Sequence, residues 1–157
     1  MTERQKREAH MIIRIVFAAA VVALGATAVI AQQQDPIAAR KALMKANGEQ
    51  AQLGNKMAKG EEPFDLAKAK KVFATYQDAS AKAPNLFPDN SKTGGDTAAL
   101  PAIWENKADF TAKLAKLGSD AKGAEAQVKD LDSFKAQFTE VQKNCGGCHQ
   151  TYRKRQS

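Results

Sequence analysis

The sequence of 157 residues contains two cysteines, and they lie three residues apart near its carboxyl end. Cys145, Gly146, Gly147, Cys148 and His149 form the pattern C-x-x-C-H, the attachment signature of c-type haem. Thiols at positions i and i+3 of a helix lie on one face, where both can form thioethers with the vinyl groups of one porphyrin. The adjacent His149 would supply the proximal iron ligand. The pattern therefore predicts one covalently attached haem c with its iron.

Three other uses of the cysteine pair fit the sequence less well. A thioredoxin-like dithiol follows a β-strand, and no strand pattern precedes Cys145. A disulfide between cysteines three residues apart in one helix has poor geometry. A closed zinc site needs four Cys or His ligands, and beyond residue 31 the chain offers only the two cysteines and His149. The motif therefore favours haem, and Gly146 and Gly147 are expected to leave room for the macrocycle.

The second axial ligand of the iron is limited by the composition. His149 is the only histidine after residue 31, so two histidine ligands from one chain are excluded. Methionine is the next common ligand, and Met44 and Met57 are available. Their separation of 13 residues places them on nearly opposite faces of a helix, and only Met44 falls on the apolar stripe. By position alone, Met44 fits an ordinary core residue as well as a ligand.

Residues 1–31 have the organisation of a secretory signal peptide. A basic head precedes an apolar run from Ile15 to Ala31, and small residues at its end provide a cleavage site after Ala31, with Ala28 as a second choice. A retained membrane anchor is the alternative, although 17 apolar residues are at the short limit for spanning about 30 Å of hydrocarbon. Cleavage predicts a periplasmic protein with one domain, residues 32–157, and no stable membrane insertion.

The charge of the chain argues against nucleic acid as a partner. Removing residues 1–31, with their four basic and two acidic side chains, lowers the formal charge from +7 to +5 on 126 residues. The lysines are scattered and form no basic stripe with interleaved aromatic residues. No acid/base pair or nucleophile constellation indicates an enzyme.

Four amphipathic helices are expected after the signal, because apolar residues recur at three- and four-residue intervals and no segment alternates with period two. Their starts are predicted at Asp35-Pro36, at Asp65, at Pro101, and at Asp130 or Asp132, with a loop over 85–100. The predicted fold class is all-α: an antiparallel four-helix bundle with covalently attached haem. Both cysteines are in register with the apolar stripe of the fourth helix, so they are expected to face the bundle interior.

A haem motif at the carboxyl end of a helical chain resembles the class II c-type cytochromes, the four-helix-bundle family of cytochrome c′ and cytochrome c-556. The resemblance covers most of the chain beyond the signal. It rests on residues 40–48, 59–61, 86–88, 100–104, 145–149 and 152–153.

The resemblance implies two alternatives for the position that Met44 occupies. In the c-556 branch a methionine of the first helix ligates the iron, which gives a low-spin electron carrier. In cytochrome c′ an apolar side chain crowds the distal face, and the five-coordinate iron can bind nitric oxide or carbon monoxide. The c-556 branch is favoured here, with His149 and Met44 as iron ligands and redox proteins of a respiratory or photosynthetic chain as partners. The cytochrome c′ alternative, with a homodimer, stays open.

Arg40 and Arg153 complete the site that the resemblance implies. Arg40 lies one helical turn before the methionine and could reach a haem propionate. Arg153 matches the basic residue that flanks the proximal histidine in the family. Each of these arginines also fits a solvated surface charge. Trp104 and Tyr152 are expected to pack around the haem edge.

Overall fold

The computed structural model describes residues 35–155, and within this range it contains five α-helices. They are α1 (Pro36–Lys59), α2 (Leu66–Lys82), α3 (Ala102–Glu105), α4 (Lys107–Gln127) and α5 (Leu131–Tyr152). Two short 3₁₀ turns, Ala83–Leu86 and Asp89–Ser91, lie between α2 and α3. The four long helices confirm the predicted all-α bundle. The signal peptide predicted over 1–31 lies outside the described residues.

The long helices begin and end largely where local sequence signals predict. The side chains of Asp35, Asp65 and Asp130 each accept a hydrogen bond from a backbone N–H in the first turn of α1, α2 and α5. Helix α1 continues through Gly48 and ends at Gly60, whose left-handed φ of 76° suits a residue without a side chain. None of the helices between residues 35 and 155 is long and apolar enough to cross a membrane.

The predicted third helix is interrupted. Asn106, with φ −124° and ψ 49°, separates the single turn of α3 from α4. The single turn of α3 has its own contacts: Ile103 is buried, and Trp104 donates its indole N–H to the carbonyl oxygen of Phe87 at 3.0 Å. These contacts are made with residues distant in sequence, so local propensity could not predict the interruption.

Two clusters of buried apolar side chains form the core. The larger joins α1, α2, α4 and α5 and includes Met57, Phe73, Tyr76, Phe134 and Phe138. The smaller lies near the loop and comprises Ala83, Ile103, Phe110, Leu114 and Tyr152. The core therefore has one part deep in the bundle and one part beneath the loop.

The core of the protein contains Met57 and not Met44, which is the reverse of the sequence-based prediction. Met57 is fully buried in the larger cluster, whereas Met44 is 41% exposed. The prediction that the apolar, core-facing stripe of α1 includes Met44 but not Met57 was therefore wrong. Met44 and Ala51, seven residues apart on α1, line a cavity. Met57 lies 13 residues after Met44, on nearly the opposite face of the helix, and that face packs into the core together with Gly54.

The loop before α3 is joined to the end of α5 by backbone hydrogen bonds. The N–H of Leu100 donates to the carbonyl oxygen of Tyr152 at 3.0 Å, and that of Lys154 donates to Ala98 at 2.8 Å. Ala99 and Arg153 form an isolated antiparallel bridge between them. The loop is thereby held beside the helix that carries the haem motif.

Candidate haem site

A cavity of about 540 Å³ opens between α1, α4, α5 and the loop. Its volume is in the range of about 300–1,000 Å³ that is typical of ligand and cofactor sites. Apolar residues from both core clusters contribute to its wall, among them Tyr76, Leu117, Phe110, Leu114 and Tyr152. The cavity thus lies where the two parts of the core meet.

All six site residues named from the sequence line this one cavity: Arg40, Met44, Cys145, Cys148, His149 and Arg153. Helix α1 contributes the first two, α5 contributes the next three, and Arg153 caps the carboxyl end of α5. Residues separated by about a hundred positions in sequence are therefore brought together around the same space.

Cys145 and Cys148 are half-buried on the cavity wall. Burial raises the pKa of both thiols above the ordinary value, and the charge of Lys113 partly opposes this rise at Cys148. Their spacing puts both on one side of α5, as the sequence predicts. Two neutral thiols on one wall are the groups that thioether attachment requires.

The two glycines of the motif do not line the cavity. Gly146 and Gly147 are exposed, and a Cβ atom added to either would meet no heavy atom within 4 Å. The expectation that they leave room for the macrocycle was wrong, because positions one and two after Cys145 are rotated by about 100° and 200° around the helix. Gly147 instead borders a separate groove between α4 and α5.

His149 is half-buried and lines the cavity one residue after Cys148. Burial lowers the pKa of its imidazole below the usual 6.5, and the positive charge of Arg153 lowers this pKa further. A neutral imidazole is the form that binds a metal, so His149 is prepared for ligation at neutral pH.

Arg40 is 6% exposed and is bound to the loop by four hydrogen bonds. Its Nη1 donates to the carbonyl oxygen of Leu86 at 3.2 Å and to Oγ of Ser91 at 2.9 Å. Its Nη2 donates to the carbonyl oxygen of Ser91 at 2.9 Å and to Oγ1 of Thr97 at 2.6 Å. Arg40 is therefore a buried clamp between α1 and the loop rather than a solvated surface charge.

Aromatic rings also pack against Arg40. The guanidinium carbon of Arg40 lies 4.9 Å from the ring centroid of Phe87 and 5.8 Å from that of Trp104. Phe87 packs edge-on against Phe110, with ring centroids 4.7 Å apart, and Phe110 packs edge-on against Tyr152 at 5.3 Å. Burial lowers the pKa of Arg40, partly offset by Asp35, so the charge is held in a largely apolar setting.

Of the two aromatic residues expected at the haem edge, only Tyr152 lines the cavity. Its hydroxyl donates to Oδ2 of Asp109 at 2.6 Å, and this bond is the main reason why the pKa of Tyr152 is raised to about 12. Trp104 lies behind the cavity wall, where its ring packs against Phe87 at a centroid distance of 5.8 Å. Phe87, which does line the cavity, was not singled out from the sequence.

Sequence reasoning also missed several polar residues of the lining, namely Lys41, Lys45, Asn47, Gln142 and Lys113. The carbonyl oxygen Oδ1 of Asn47 is buried and has no hydrogen-bond partner within the described protein. Helical spacing could have found Lys41 and Asn47, which lie three residues before and after Met44. Lys113 could not be found in this way, because only the folded structure brings α4 to the cavity.

This lining fits a haem group. The wall is mostly apolar, as a porphyrin requires, and two thiols and a neutral imidazole adjoin one another on α5. Basic side chains on α1, on α4 and after α5 can balance the charge of two propionates. An all-α bundle with these groups around one cavity defines a c-type cytochrome.

Comparison with known proteins agrees with this class. The family model described as Cytochrome C′ matches residues 35–153. Cytochrome c′ of Rhodopseudomonas palustris (strain ATCC BAA-98 / CGA009) is 46% identical over 147 residues, which cover 94% of this chain and 100% of the relative. Cytochrome c-556 of the same strain is 33% identical over 145 residues, covering 90% and 97%.

A solved structure of cytochrome c′ from Rhodopseudomonas palustris has a TM-score of 0.77 to this fold at 48% identity. The similarity covers 80% of this chain and 100% of that one. The chain therefore belongs to the cytochrome c′ family, the class II c-type cytochromes, and is a monohaem protein with covalently bound haem c.

Proposed function

We propose that this cytochrome is a periplasmic electron carrier in which His149 and Met44 ligate the iron of a haem attached through Cys145 and Cys148. One observation carries the proposal: Met44 on α1 lines the same cavity as the three haem-motif side chains on α5. The haem, when bound, takes up and releases one electron at its iron. A carrier of this kind exchanges electrons with redox proteins of a respiratory or photosynthetic chain.

Each residue has a distinct part in this proposal. Cys145 and Cys148 would hold the haem on α5, and the imidazole of His149 would ligate the iron from the same helix. Met44 would ligate from α1 through its flexible side chain. A His/Met ligand pair raises the reduction potential of the iron. The apolar wall keeps water away from the haem.

A second candidate function is the binding of nitric oxide or carbon monoxide at a five-coordinate iron. One observation favours it: a relative that matches nearly the whole chain is a cytochrome c′. In this alternative Met44 merely covers the distal face and the iron keeps His149 as its one axial protein ligand. The two candidates differ in the spin state of the iron.

Optical spectra of both oxidation states distinguish the two candidates. The Met44→Leu variant keeps an apolar side chain of similar size but removes the sulfur ligand. The electron-carrier proposal expects a low-spin wild type that becomes high-spin in Met44→Leu. Met57→Leu is the matched control, since it removes the other described methionine from α1 and should leave the spectrum unchanged.

Two results would reject the electron-carrier proposal. One is a high-spin wild-type spectrum that Met44→Leu leaves unchanged. The other is ready binding of carbon monoxide by the ferrous wild type, with no increase in the Met44→Leu variant. Either result would favour the gas-binding candidate.

The proposal also includes cleavage of residues 1–31 and export to the periplasm. Intact-mass spectrometry of the protein from a periplasmic extract is expected to show haem attached to a chain that begins at Gln32. A mass corresponding to the full chain in the membrane fraction would instead indicate a retained anchor.

A further inference from the structure

We infer that Arg40 positions Met44, the proposed iron ligand, by fastening the first half of α1 to the loop before α3. Its four hydrogen bonds to Leu86, Ser91 and Thr97 are called the loop clamp. The inference rests on the proposed function, because it identifies what holds the distal side chain in place. Arg40 is a positioning residue, since it acts on the iron only through Met44.

Helix α1 is anchored to the rest of the bundle near its two ends. Its buried residues are Ile37 and Arg40 near the start, and Gly54 and Met57 near the end. No residue of α1 between Arg40 and Gly54 is buried, and this middle part, which includes Met44, lines the cavity. A rigid helix held in this way has its place beside the cavity determined by the two anchors.

The anchor at the loop is the nearer of the two to Met44. Arg40 lies four residues before Met44, about 6 Å along the helix axis, whereas Gly54 lies ten residues after it, about 15 Å away. Four residues make about one helical turn, so Arg40 and Met44 also share one side of α1. A displacement of α1 at the loop therefore moves Met44 more than an equal displacement at the far anchor.

The loop clamp uses all four terminal N–H groups of the guanidinium. Nη1 donates to Leu86 and Ser91, and Nη2 donates to Ser91 and Thr97, which leaves only Nε–H for any other acceptor. An apolar contact reinforces these bonds, because a Cβ added to Gly95 in the loop would lie 3.2 Å from Cδ1 of Ile37. The first turns of α1 are thus packed closely against the loop.

Thr97 connects the loop clamp to the segment that follows α5. Its hydroxyl accepts a hydrogen bond from Arg40 at 2.6 Å, and its carbonyl oxygen accepts one from Nζ of Lys154 at 3.0 Å. Lys154 follows His149 by five residues. The same loop residue therefore links the helix that carries Met44 to the chain just beyond His149, and these are the two side chains that must reach one iron.

Loss of the loop clamp should let Met44 move away from the distal position. Groups that hold metal ligands from behind determine their orientation, and their removal typically weakens binding of the metal by about 10–100-fold. Carbon monoxide can bind the ferrous iron only while Met44 is displaced. A looser α1 should therefore increase the fraction of molecules that are open to carbon monoxide and raise its association rate.

The test measures the association of carbon monoxide with the ferrous holoprotein in a stopped-flow instrument. Arg40→Lys keeps the charge but cannot serve the acceptors of the loop together, and it should bind about tenfold faster than wild type. Thr97→Val removes one acceptor at nearly constant size and should bind about threefold faster. Thr97→Ser keeps the hydroxyl and should restore the rate to within about twofold of wild type.

Val72→Ala is the control for a general loss of stability. Val72 on α2 is fully buried in the larger cluster and does not line the cavity. Its truncation leaves a cavity in the core and destabilises the fold. Because Val72 is remote from the loop clamp, the association rate should stay within about twofold of wild type. Equal acceleration in Val72→Ala and Arg40→Lys would overturn the inference.

A second background tests whether Arg40 acts through Met44. Once Met44→Ala has removed the side chain that the loop clamp positions, adding Arg40→Lys should change the association rate by less than about twofold. A tenfold acceleration that persists in the Met44→Ala background would contradict the positioning role, because the clamp would then act on the cavity by another route.

Hydrogen–deuterium exchange, followed by mass spectrometry, reports on α1 without any reaction at the iron. Arg40→Lys should speed amide exchange over residues 41–47 more than Val72→Ala does, since only the first variant releases this end of α1. Equal exchange in the two variants would refute the anchor at the loop.

The spin state of the wild type, recorded beside the rates, separates this inference from the proposed function. A high-spin wild type whose association rate still rises in Arg40→Lys, and not in the Met44→Ala background, would reject Met44 as a ligand and retain Arg40 as the residue that holds Met44 over the distal face. A low-spin wild type with equal rates in Arg40→Lys and Val72→Ala would retain the ligand and reject the loop clamp.

Discussion

Arg40 donates two hydrogen bonds to Ser91, one to the hydroxyl Oγ and one to the carbonyl oxygen, both at 2.9 Å. Ser91 is only 2% exposed, so the bonds lie in the protein interior. They join the helix that carries Met44 to the loop, and the bridge between Ala99 and Arg153 joins that loop to the end of the haem-motif helix. The two sides of the cavity are therefore connected through the loop.

Arg40→Lys should destabilise the fold although it preserves the charge. Lysine cannot reproduce the planar geometry that serves Leu86, Ser91 and Thr97 at once, so buried acceptors lose their partners. Urea unfolding is expected to show a loss of about 2–4 kcal/mol. The matched control Lys41→Gln, at an exposed lysine one residue later, should change stability by less than about 0.5 kcal/mol. Equal losses of stability in the two variants would contradict the role of Arg40 as a clamp between α1 and the loop.

Gly54→Ala tests the contact between α1 and α5. An added Cβ would lie 2.5 Å from Cε2 of Phe138, which is buried in the larger cluster. The resulting overpacking should cost about 1–3 kcal/mol in urea unfolding. Gly123→Ala is the control in α4, where the nearest atom to an added Cβ is 3.8 Å away. It should be neutral or gain up to about 1 kcal/mol from helix propensity, and a loss as large as at Gly54 would refute the explanation.

Met57→Ala should show whether Met57 is a core residue or an iron ligand. Met57 is fully buried in the larger cluster, so its truncation is expected to cost about 2–5 kcal/mol in urea unfolding. The optical spectrum of the folded holoprotein should remain that of the wild type, because Met57 does not line the haem cavity. A change of spin state in Met57→Ala would show that the distal ligand has been assigned to the wrong methionine.

Ionisation of the Tyr152 hydroxyl should lower the free energy of unfolding at alkaline pH. Its folded pKa of about 12 exceeds the usual value of 10, chiefly because the hydroxyl donates to Asp109. The stabilisation is complete below pH 10 and is lost as the pH rises from 10 through 12. Tyr152→Phe removes the titrating group, so its unfolding free energy should decrease less between pH 9 and pH 11 than that of the wild type. Parallel curves for the two proteins would contradict this linkage.

Local signals in the sequence predicted the fold well. Asp caps, the proline after Asp35 and the glycine that ends α1 act within one helical turn, so their effect does not depend on the rest of the chain. The haem motif is local in the same sense, and the spacing of Cys145 and Cys148 determined which side of α5 they share. The interruption at Asn106 was missed because Trp104 and Ile103 are held by distant residues.

The burial of Arg40 could not be read from the sequence for a similar reason. Its hydrogen-bond acceptors lie 46, 51 and 57 residues further along the chain. No periodic pattern in the sequence predicts hydrogen-bond partners so far away, and a lone arginine on a helix usually lies in solvent. The place of Lys113 beside Lys41 and Lys45 in the cavity lining has the same origin, since it depends on the packing of α4 beside the cavity.

The electron paramagnetic resonance spectrum of the ferric holoprotein tests Met44 ligation most directly. If His149 and Met44 both ligate the iron, the wild type should give a low-spin signal, and Met44→Leu should convert it to a high-spin signal while Met57→Leu leaves it unchanged. A wild-type spectrum that is already high-spin, and that Met44→Leu does not alter, would contradict the account and identify a five-coordinate iron.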